Sequence, residues 1–358
     1  MFGFFGKGKK TGEQVRHPYS ELKVEKTEIH KPRFPVVDSH IHLGPRYIGE
    51  DYQSRYSIDG FVDSLKQMGV SHALDLELFS ERFFYKVLEV TKAYRSFFSF
   101  CMPVDLTDFE EPFFEKKTLN SLEEMSKAEN VCGIKIWKNL GLELKRKNGQ
   151  YAKMTDPEFE VVFEFAKDKK LPVVMHVADP PLFFKKVDYT NERYEELKKY
   201  PMWSYYGKTT PRFSELISQL EQLLETRSQN TFVIAHLAWL ASDLNVLERL
   251  LAKKQNMYVD IAAVLSEIGR QPRAFARFAE NNADRILFGT DTFAGDPLCH
   301  RQYYRFMETQ DEYFDYDPCG DTSKGNWKIY GANLSDNVLK KIYSENFYKV
   351  FLRENKKE

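Results

Sequence analysis

One rhythm constrains this chain more than any other feature. From residue 35 onwards a short apolar run gives way to a segment with helical spacing, and this happens eight times. The runs are Pro35–Leu43, Ala73–Leu78, Phe97–Val104, Val131–Trp137, Leu171–Ala178, Thr231–Leu237, Met257–Ala263 and Arg285–Phe293. Stretches such as Pro172-Val-Val-Met-His176 and Phe232-Val-Ile-Ala-His236 are almost wholly apolar, as strands covered on both faces are. Between the runs, apolar residues recur at steps of three and four. Examples are 58, 61, 62, 65 and 68, then Phe159, Val162, Phe163 and Ala166, then Leu244, Leu247, Leu250 and Leu251. Asp156-Pro157, Thr210-Pro211 and Gln271-Pro272 read as helix openings, and Ser335 as the cap of a last helix carrying Val338, Ile342, Phe347 and Phe351. The helices near 80–95 and 118–128 are more weakly patterned.

Eight β-then-α units predict an α/β protein of (β/α)8 TIM-barrel class, a single domain over 35–358 behind an N-terminal arm, 1–34. A length of 358 residues suits two average domains, but such barrels run to about 250 residues and beyond as one. A doubly wound sheet would normally carry a G-x-G-x-x-G turn after its first strand, and none occurs. Residues 179–208, after the fifth strand, and 294–333, after the eighth, are too long for plain connections. Both fall on the face where barrel active sites sit and are expected to act as lids or substrate loops.

Charge excludes several functions. Lys and Arg total 52 against 53 Asp and Glu, which leaves no basic surplus for nucleic acid and no acidic disordered tail. No apolar run approaches about 18 residues, so no membrane span is expected. Cys101, Cys132, Cys299 and Cys319 are scattered, without C-x-x-C, and read as free thiols. The start, Met1 to Lys10, is apolar and then basic, the reverse of a secretory signal. A cytoplasmic protein is the simplest expectation, although a chain stripped of a leader reads the same.

Of eight His, four stand at or near predicted strand ends: His40, His42, His176 and His236. Asp291 ends the last strand in Phe288-Gly-Thr-Asp291. Two residues apart on a strand, His40 and His42 share a face, which in a barrel is the interior. Polar groups there are costly unless paired, and imidazole and carboxylate suit zinc and related ions. Each alone has an ordinary reading as a hydrogen-bonded core His or a helix-capping Asp. Together the five point to one polar or metal site. His17, His30, His72 and His300 read as surface or local-turn residues.

Asp38-Ser-His40-Ile-His42, His176, His236 and Phe288-Gly-Thr-Asp291 resemble the amidohydrolase superfamily. Gly331-Ala-Asn-Leu-Ser-Asp336 and Ile342-Tyr-Ser-Glu-Asn346 resemble the closing helix of its amidohydrolase-2 branch, which includes aminocarboxymuconate-semialdehyde decarboxylase. The resemblance covers roughly residues 35–354. It implies one divalent metal on His40, His42, His176 and Asp291. Zinc is expected first, with Mn, Fe, Co or Ni open, and no second metal is expected. It also implies that His236 sits close by and polarises the substrate or the attacking water. Lys135, in Gly133-Ile-Lys-Ile-Trp137, has three readings: a carboxylated bridge as in two-metal members, an ammonium for an anionic substrate, or a partner in a structural ion pair. Lys138 is expected to face solvent.

Position suggests the rest of the mouth. Arg46 and Tyr47 follow the first strand, Trp137 shares a face with Lys135, and Trp239 follows His236. Glu267 and Arg270 lie after the seventh strand, and Trp203, Tyr205 and Tyr206 in the fifth loop. Arg46 and Arg270 could clamp a substrate carboxylate. The expected enzyme is a metal-dependent hydrolase that opens a lactone, ester or amide of a small molecule, with Asp291, His236 and Lys135 as catalytic groups. A non-oxidative decarboxylase is the runner-up. A metal-free lactonase or a non-catalytic binding protein stands behind it. Neither nucleic acid nor membrane is an expected partner; the sequence sets no oligomeric state, and a homodimer stays open because barrels of this branch often pair.

Overall fold

The structure, a computed structural model, describes residues 20–43, 57–76, 81–320 and 324–352. The strands are β1 Val36–His42, β2 Val70–Leu76, β3 Phe98–Pro103, β4 Val131–Ile136, β5 Val173–Met175, β6 Phe232–Ile234, β7 Met257–Asp260, β8 Ile286–Leu287 and β9 Thr292–Phe293. They form one parallel sheet in the order β8-β7-β6-β5-β4-β3-β2-β1-β9. Eight strands were expected. The eighth, Arg285–Phe293, is divided: its first part pairs with β7 and its last with β1, so this one segment spans the seam of the sheet. Main-chain bonds continue the pairing across it, from Ser39 N–H to Phe288 O at 2.9 Å and from Asp291 N–H to His40 O at 2.8 Å. Asp291 has φ +63°, a left-handed turn that no regular strand accommodates, and that is the physical reason for the division. The curled sheet with helices between its strands is the predicted TIM-barrel class.

The helices wrap the sheet: α1 Ile58–Gln67, α2 Glu81–Val90, α3 Phe114–Met125, α4 Glu160–Asp168, α5 Tyr194–Lys199, α6 Phe213–Thr226, α7 Leu244–Lys253, α8 Pro272–Asn282, α9 His300–Glu308 and α10 Asp336–Lys340. Ser57 and Ser335 cap α1 and α10, and Pro272 opens α8 as its ring geometry favours. The fifth and eighth insertions hold short helices of their own, α5 and α9. From the arm, Thr27 and Arg33 bind Asp311 and Asp336, and so lie against the last insertion and α10.

Two apolar cores result. The larger lies between sheet and helices. The smaller gathers Val37, Leu74, Cys101, Cys132, Val174, Val233 and Leu287 from seven strands, with Phe347, Val350 and Phe351 of the chain's last helical turns against them. Each such fully buried apolar side chain contributes about 1.5–3 kcal/mol. With one end of the barrel filled by hydrophobes, its buried polar groups collect at the other, where the strands end.

Candidate metal centre

His40 and His42, both buried near the end of β1, aim their Nε2 atoms at one carboxylate oxygen. Asp291 Oδ1 lies 3.3 Å from His40 Nε2 and 3.0 Å from His42 Nε2. β1 shifts register between Asp38 and Ile41, an irregularity of the kind that re-aims side chains at barrel rims. The Nδ1 atoms are already engaged. That of His42 donates to Leu76 O at 2.8 Å, and that of His40 to Asp260 Oδ2 at 2.8 Å. Outer bonds of this kind fix a metal-ligating imidazole with its other nitrogen inward.

Buried Asp260, at the end of β7, organises this side of the mouth. Besides His40 it accepts the N–H of His236 at 2.8 Å and of Ala262 at 3.1 Å. Burial pushes its pKa up, but His40 and His236 more than reverse this and bring it to about 2. The same two-carboxylate environment overcomes desolvation at His40 and raises it to about 9. Desolvation prevails at His42, which falls to about 4, and at His236, which falls to about 3. Asp291 is held well below the carboxylate range: burial works against ionisation, and the bonds to His40 and His42 outweigh it. Asp260 and Asp291 thus set two carboxylates about His40, an arrangement that favours positive charge between them. Two imidazole nitrogens and a carboxylate oxygen whose outer partners are set make a donor set that fits a divalent metal.

His236 lies in an unusual backbone. Residues 236–239 all have φ between +52° and +59°, a left-handed turn without glycine that ends β6 three residues before its predicted end. Left-handed φ costs about 1–2 kcal/mol per residue and persists only where contacts over-determine it. Here the N–H is held by Asp260 and the Nδ1–H by Ala262 O at 2.9 Å. A carbonyl only accepts, so Nδ1 carries the proton and Nε2 is left as an acceptor. In this neutral tautomer His236 offers an acceptor and no donor at Nε2, whereas polarising a substrate carbonyl, as expected of it, would need a donor there.

His176, the fourth expected ligand, stands beside this group, its ring centroid 4.5 Å from that of His236. Trp239 Nε1–H donates to its Nε2 at 3.3 Å, and that nitrogen lies 3.6 Å from Asp179 Oδ1. The described residues bring His40, His42 and Asp291 together, and His176 stands outside that group because the indole claims its free nitrogen. Lys138 does not face solvent. Its ammonium sits 2.5 Å from Asp179 Oδ2, which also accepts Tyr205 O–H at 2.7 Å. Burial raises the Asp179 pKa, and Lys138 and His176 more than offset this, to about 2.

Lys135 is 2 % exposed on β4, and its Nζ has no hydrogen-bond partner among the described residues. Burial lowers its pKa against the pull of Asp260 and Asp291. The structural ion-pair reading thereby loses its partner. Glu267 and Arg270, expected at the substrate, are engaged elsewhere. Buried Arg193 bonds Glu196 at 2.6 Å and also Glu267, joining the loop after β5 to the segment after β7. Arg270 pairs with Glu192 at 2.9 Å and lies 4.1 Å over the Trp327 ring. Trp137 is half-buried, with Lys138 5.7 Å from its ring, and Trp239 sits 4.7 Å from the His236 ring. Trp203 stacks on Tyr200 at 4.3 Å, and Tyr206 is exposed. Arg46, Tyr47 and His17 lie outside the described residues.

Sequence reasoning missed Asp260, Asp179 and Arg193, and it misplaced His300. That residue is fully buried, with Nε2 2.8 Å from Asp38 Oδ2. The one signal for Asp260 was an acidic residue closing an otherwise apolar run, Met257-Tyr-Val-Asp260.

A parallel barrel with paired histidines on its first strand and an aspartate at its last is the layout of a metal-dependent barrel enzyme. The amidohydrolase family profile matches residues 37–353, and the chain belongs to that family; it is an enzyme of the amidohydrolase-2 branch, as the motifs implied. Among curated proteins no sequence matches it. Solved structures agree in fold. One is a dihydroxybenzoic acid decarboxylase from Polaromonas sp. JS666 with bound manganese and the inhibitor 2-nitroresorcinol (12% identity, 89% of this chain and 97% of that one, TM-score 0.57). Another is the 4-oxalomesaconate hydratase LigJ of Rhodopseudomonas palustris (12%, 89% and 96%, 0.53). A third is an amidohydrolase from Burkholderia multivorans with bound zinc (11%, 89% and 99%, 0.50). No helix among the described residues is long and apolar enough to cross a membrane.

Proposed function

We propose that this enzyme is a metal-dependent hydrolase of a small, carboxylate-bearing lactone, ester or amide. The observation that carries the reading is the convergence of His40 Nε2 and His42 Nε2 on Asp291 Oδ1, together with buried Lys135, whose Nζ has no hydrogen-bond partner among the described residues. His40, His42 and Asp291 would hold one divalent ion, zinc or manganese foremost, and a rotation of His176 away from Trp239 would make it the fourth ligand. When bound, such an ion acts as a Lewis acid and makes water a nucleophile near neutral pH. The chain's own groups do the rest. Asp291, anionic, takes a proton from the attacking water. The water oxygen bonds to the acyl carbon, and charge passes to the carbonyl oxygen, where Lys135 donates. The acyl–O or acyl–N bond then breaks and the leaving group takes the proton. His236, an acceptor at Nε2, receives a hydroxyl or N–H of the substrate.

One observation favours a second reading. A buried lysine whose Nζ has no hydrogen-bond partner among the described residues suits a substrate carboxylate, and a fold neighbour is a decarboxylase. On that reading a C–C bond breaks, carbon dioxide leaves and a proton replaces it. The test is a panel of lactones, esters, amides and aromatic carboxylates, assayed with zinc- and manganese-loaded protein and with chelator. Acid release without gas supports hydrolysis. Carbon dioxide release moves the reaction to decarboxylation. Turnover that survives complete chelation overturns the metal reading. A cytoplasmic location and a homodimer remain part of the proposal, with sedimentation velocity as the test of the dimer.

A further inference from the structure

Beside the metal centre lies a second polar cluster. Asp38, fully buried on β1, accepts four hydrogen bonds. Its Oδ1 takes the main-chain N–H of His40 at 3.1 Å and of Thr290 at 3.1 Å. Its Oδ2 takes Thr290 Oγ1 at 2.6 Å and His300 Nε2 at 2.8 Å. Three of these four bonds come from the segments that present the metal ligands: His40 is a ligand itself, and Thr290, which gives two, precedes Asp291. The last belongs to α9, in the insertion after the divided eighth strand.

His300 gains little from its place except that bond. It is fully buried, with the Phe288 ring 6.2 Å away and the Tyr304 ring 6.3 Å away, and its Nδ1 has no partner among the described residues. An apolar side chain would fill the pocket without leaving a buried nitrogen unsatisfied, and burying an unsatisfied polar atom is unfavourable. What the imidazole adds is a donor to Asp38 Oδ2. With both carboxylate oxygens engaged, Asp38 has one orientation, and Oδ1 clamps the backbones of His40 and Thr290 together. That clamp sits next to the left-handed turn at Asp291, a conformation that relaxes unless neighbours hold it.

We infer that His300 is a positioning residue for the metal centre: through Asp38 it sets the spacing between His40 on β1 and Asp291 at the seam. This rests on the metal reading above, and it makes the insertion that carries α9 part of the metal site.

The test compares His300→Leu and His300→Gln with wild type in the full-length protein. Zinc affinity is read by chelator competition, and ligand geometry by the visible spectrum of the cobalt(II)-loaded protein. His300→Leu should bind zinc at least about ten-fold more weakly and shift the cobalt bands, as loss of an outer partner does elsewhere. His300→Gln, whose amide nitrogen reaches the same point, should stay within about three-fold of wild type, well below the 10–100-fold range of outer-shell losses. Asn230→Leu is the control. It cuts a buried bond to Phe163 O at 2.7 Å, just ahead of β6, and should lower the melting temperature while leaving affinity and spectrum alone. If His300→Leu does not fold, Thr290→Val removes the neighbouring donor to the same oxygen and carries the same expectation. Wild-type affinity and spectrum in His300→Leu, or an equal loss in Asn230→Leu, overturns the inference. A wild-type protein that binds no zinc or cobalt overturns the metal centre itself, and that result is distinct from both.

Discussion

Replacing Lys135 with methionine should stabilise the metal-free protein while abolishing turnover. Methionine keeps most of the length of the side chain and removes the ammonium. That ammonium is buried, without a hydrogen-bond partner among the described residues. An unsatisfied buried donor costs about 1–3 kcal/mol. The charge adds to this cost, and attraction from Asp260 and Asp291 subtracts from it. The lowered pKa says that desolvation prevails, so the net penalty keeps its sign. His40, raised to about 9, still counters both carboxylates in the variant at pH 7. A gain near 2 kcal/mol corresponds to about 3 °C in melting temperature for a domain of this size. The pH dependence follows from the direction of the shift. A lysine whose pKa is depressed by folding penalises the fold fully below its folded-state value. The penalty fades as pH rises through that value towards the ordinary one, about 10.4. The gap between variant and wild type should therefore be widest near pH 7 and narrow towards pH 10. Thermal melts of chelator-treated proteins at both pH values measure it. A variant that melts below wild type at pH 7 would refute the reasoning and make Lys135 a structural cation.

Further outcomes follow from the same contacts. Asp260→Asn preserves shape but gives His40 Nδ1 a neutral acceptor; zinc affinity should drop about 10–100-fold, and an unchanged affinity would show that the carboxylate does not matter. Arg193→Met leaves Glu196 and Glu267 buried without their cation and should cost about 3–5 kcal/mol in urea unfolding, whereas a loss under about 1 kcal/mol would mean the two mouth segments are not joined there. Burial raises the Glu267 pKa and Arg193, helped by Lys324, Ser266 and Arg270, more than offsets this, so its contribution is present above the ordinary carboxylate value of about 4.3 and is lost as pH falls through its lower folded-state value. Wild type should accordingly lose stability in acid over a range where Arg193→Met has none left to lose. Zinc at 100 times its dissociation constant should add about 2.7 kcal/mol to wild-type stability and nothing to a His40→Ala/His42→Ala double variant; equal gains would place the ion elsewhere.

The barrel was legible because its strands are covered on both faces, so apolar runs such as Phe232-Val-Ile mark them without ambiguity. His40, His42 and Asp291 were legible because a polar residue interrupting such a run needs a reason. Other features depend on partners far away in the chain. Glu267 looked available for a substrate until Arg193, from the loop after β5, was seen to bond it. His176 looked like the fourth ligand, and only the fold shows that Trp239, carried inward by the left-handed turn at 236–239, reaches its nitrogen. His300 sits in an insertion with no period to read, and its partner Asp38 lies 262 positions away. Asp260 ends β7 and Asp179 follows β5 by four residues, positions where helix-capping Asp residues are common, and nothing local separates a cap from a carboxylate that orders a site.

The two ends of this barrel obey different rules, and the contrast explains where its chemistry can lie. At the floor, Val37, Leu74, Val174 and Val233 meet Phe347 and Phe351, and local preference, burial and packing all agree. The mouth instead holds features that each oppose folding: four successive left-handed residues at His236–Trp239, another at Asp291 and, without hydrogen-bond partners among the described residues, the buried nitrogens Lys135 Nζ and, in α9, His300 Nδ1. Such conflicts persist only where surrounding structure over-determines them, and natural sequences concentrate them at functional sites. The supports are visible. Asp260 holds the backbone of His236, Asp38 ties β1 to the Asp291 turn, and Arg193 links the loop after β5 to the segment after β7. Removing a support should therefore damage the site more than its own contact energy suggests, because the strain it restrains is released with it. Removing a source of strain, as in Lys135→Met, should instead stabilise the fold and cost function.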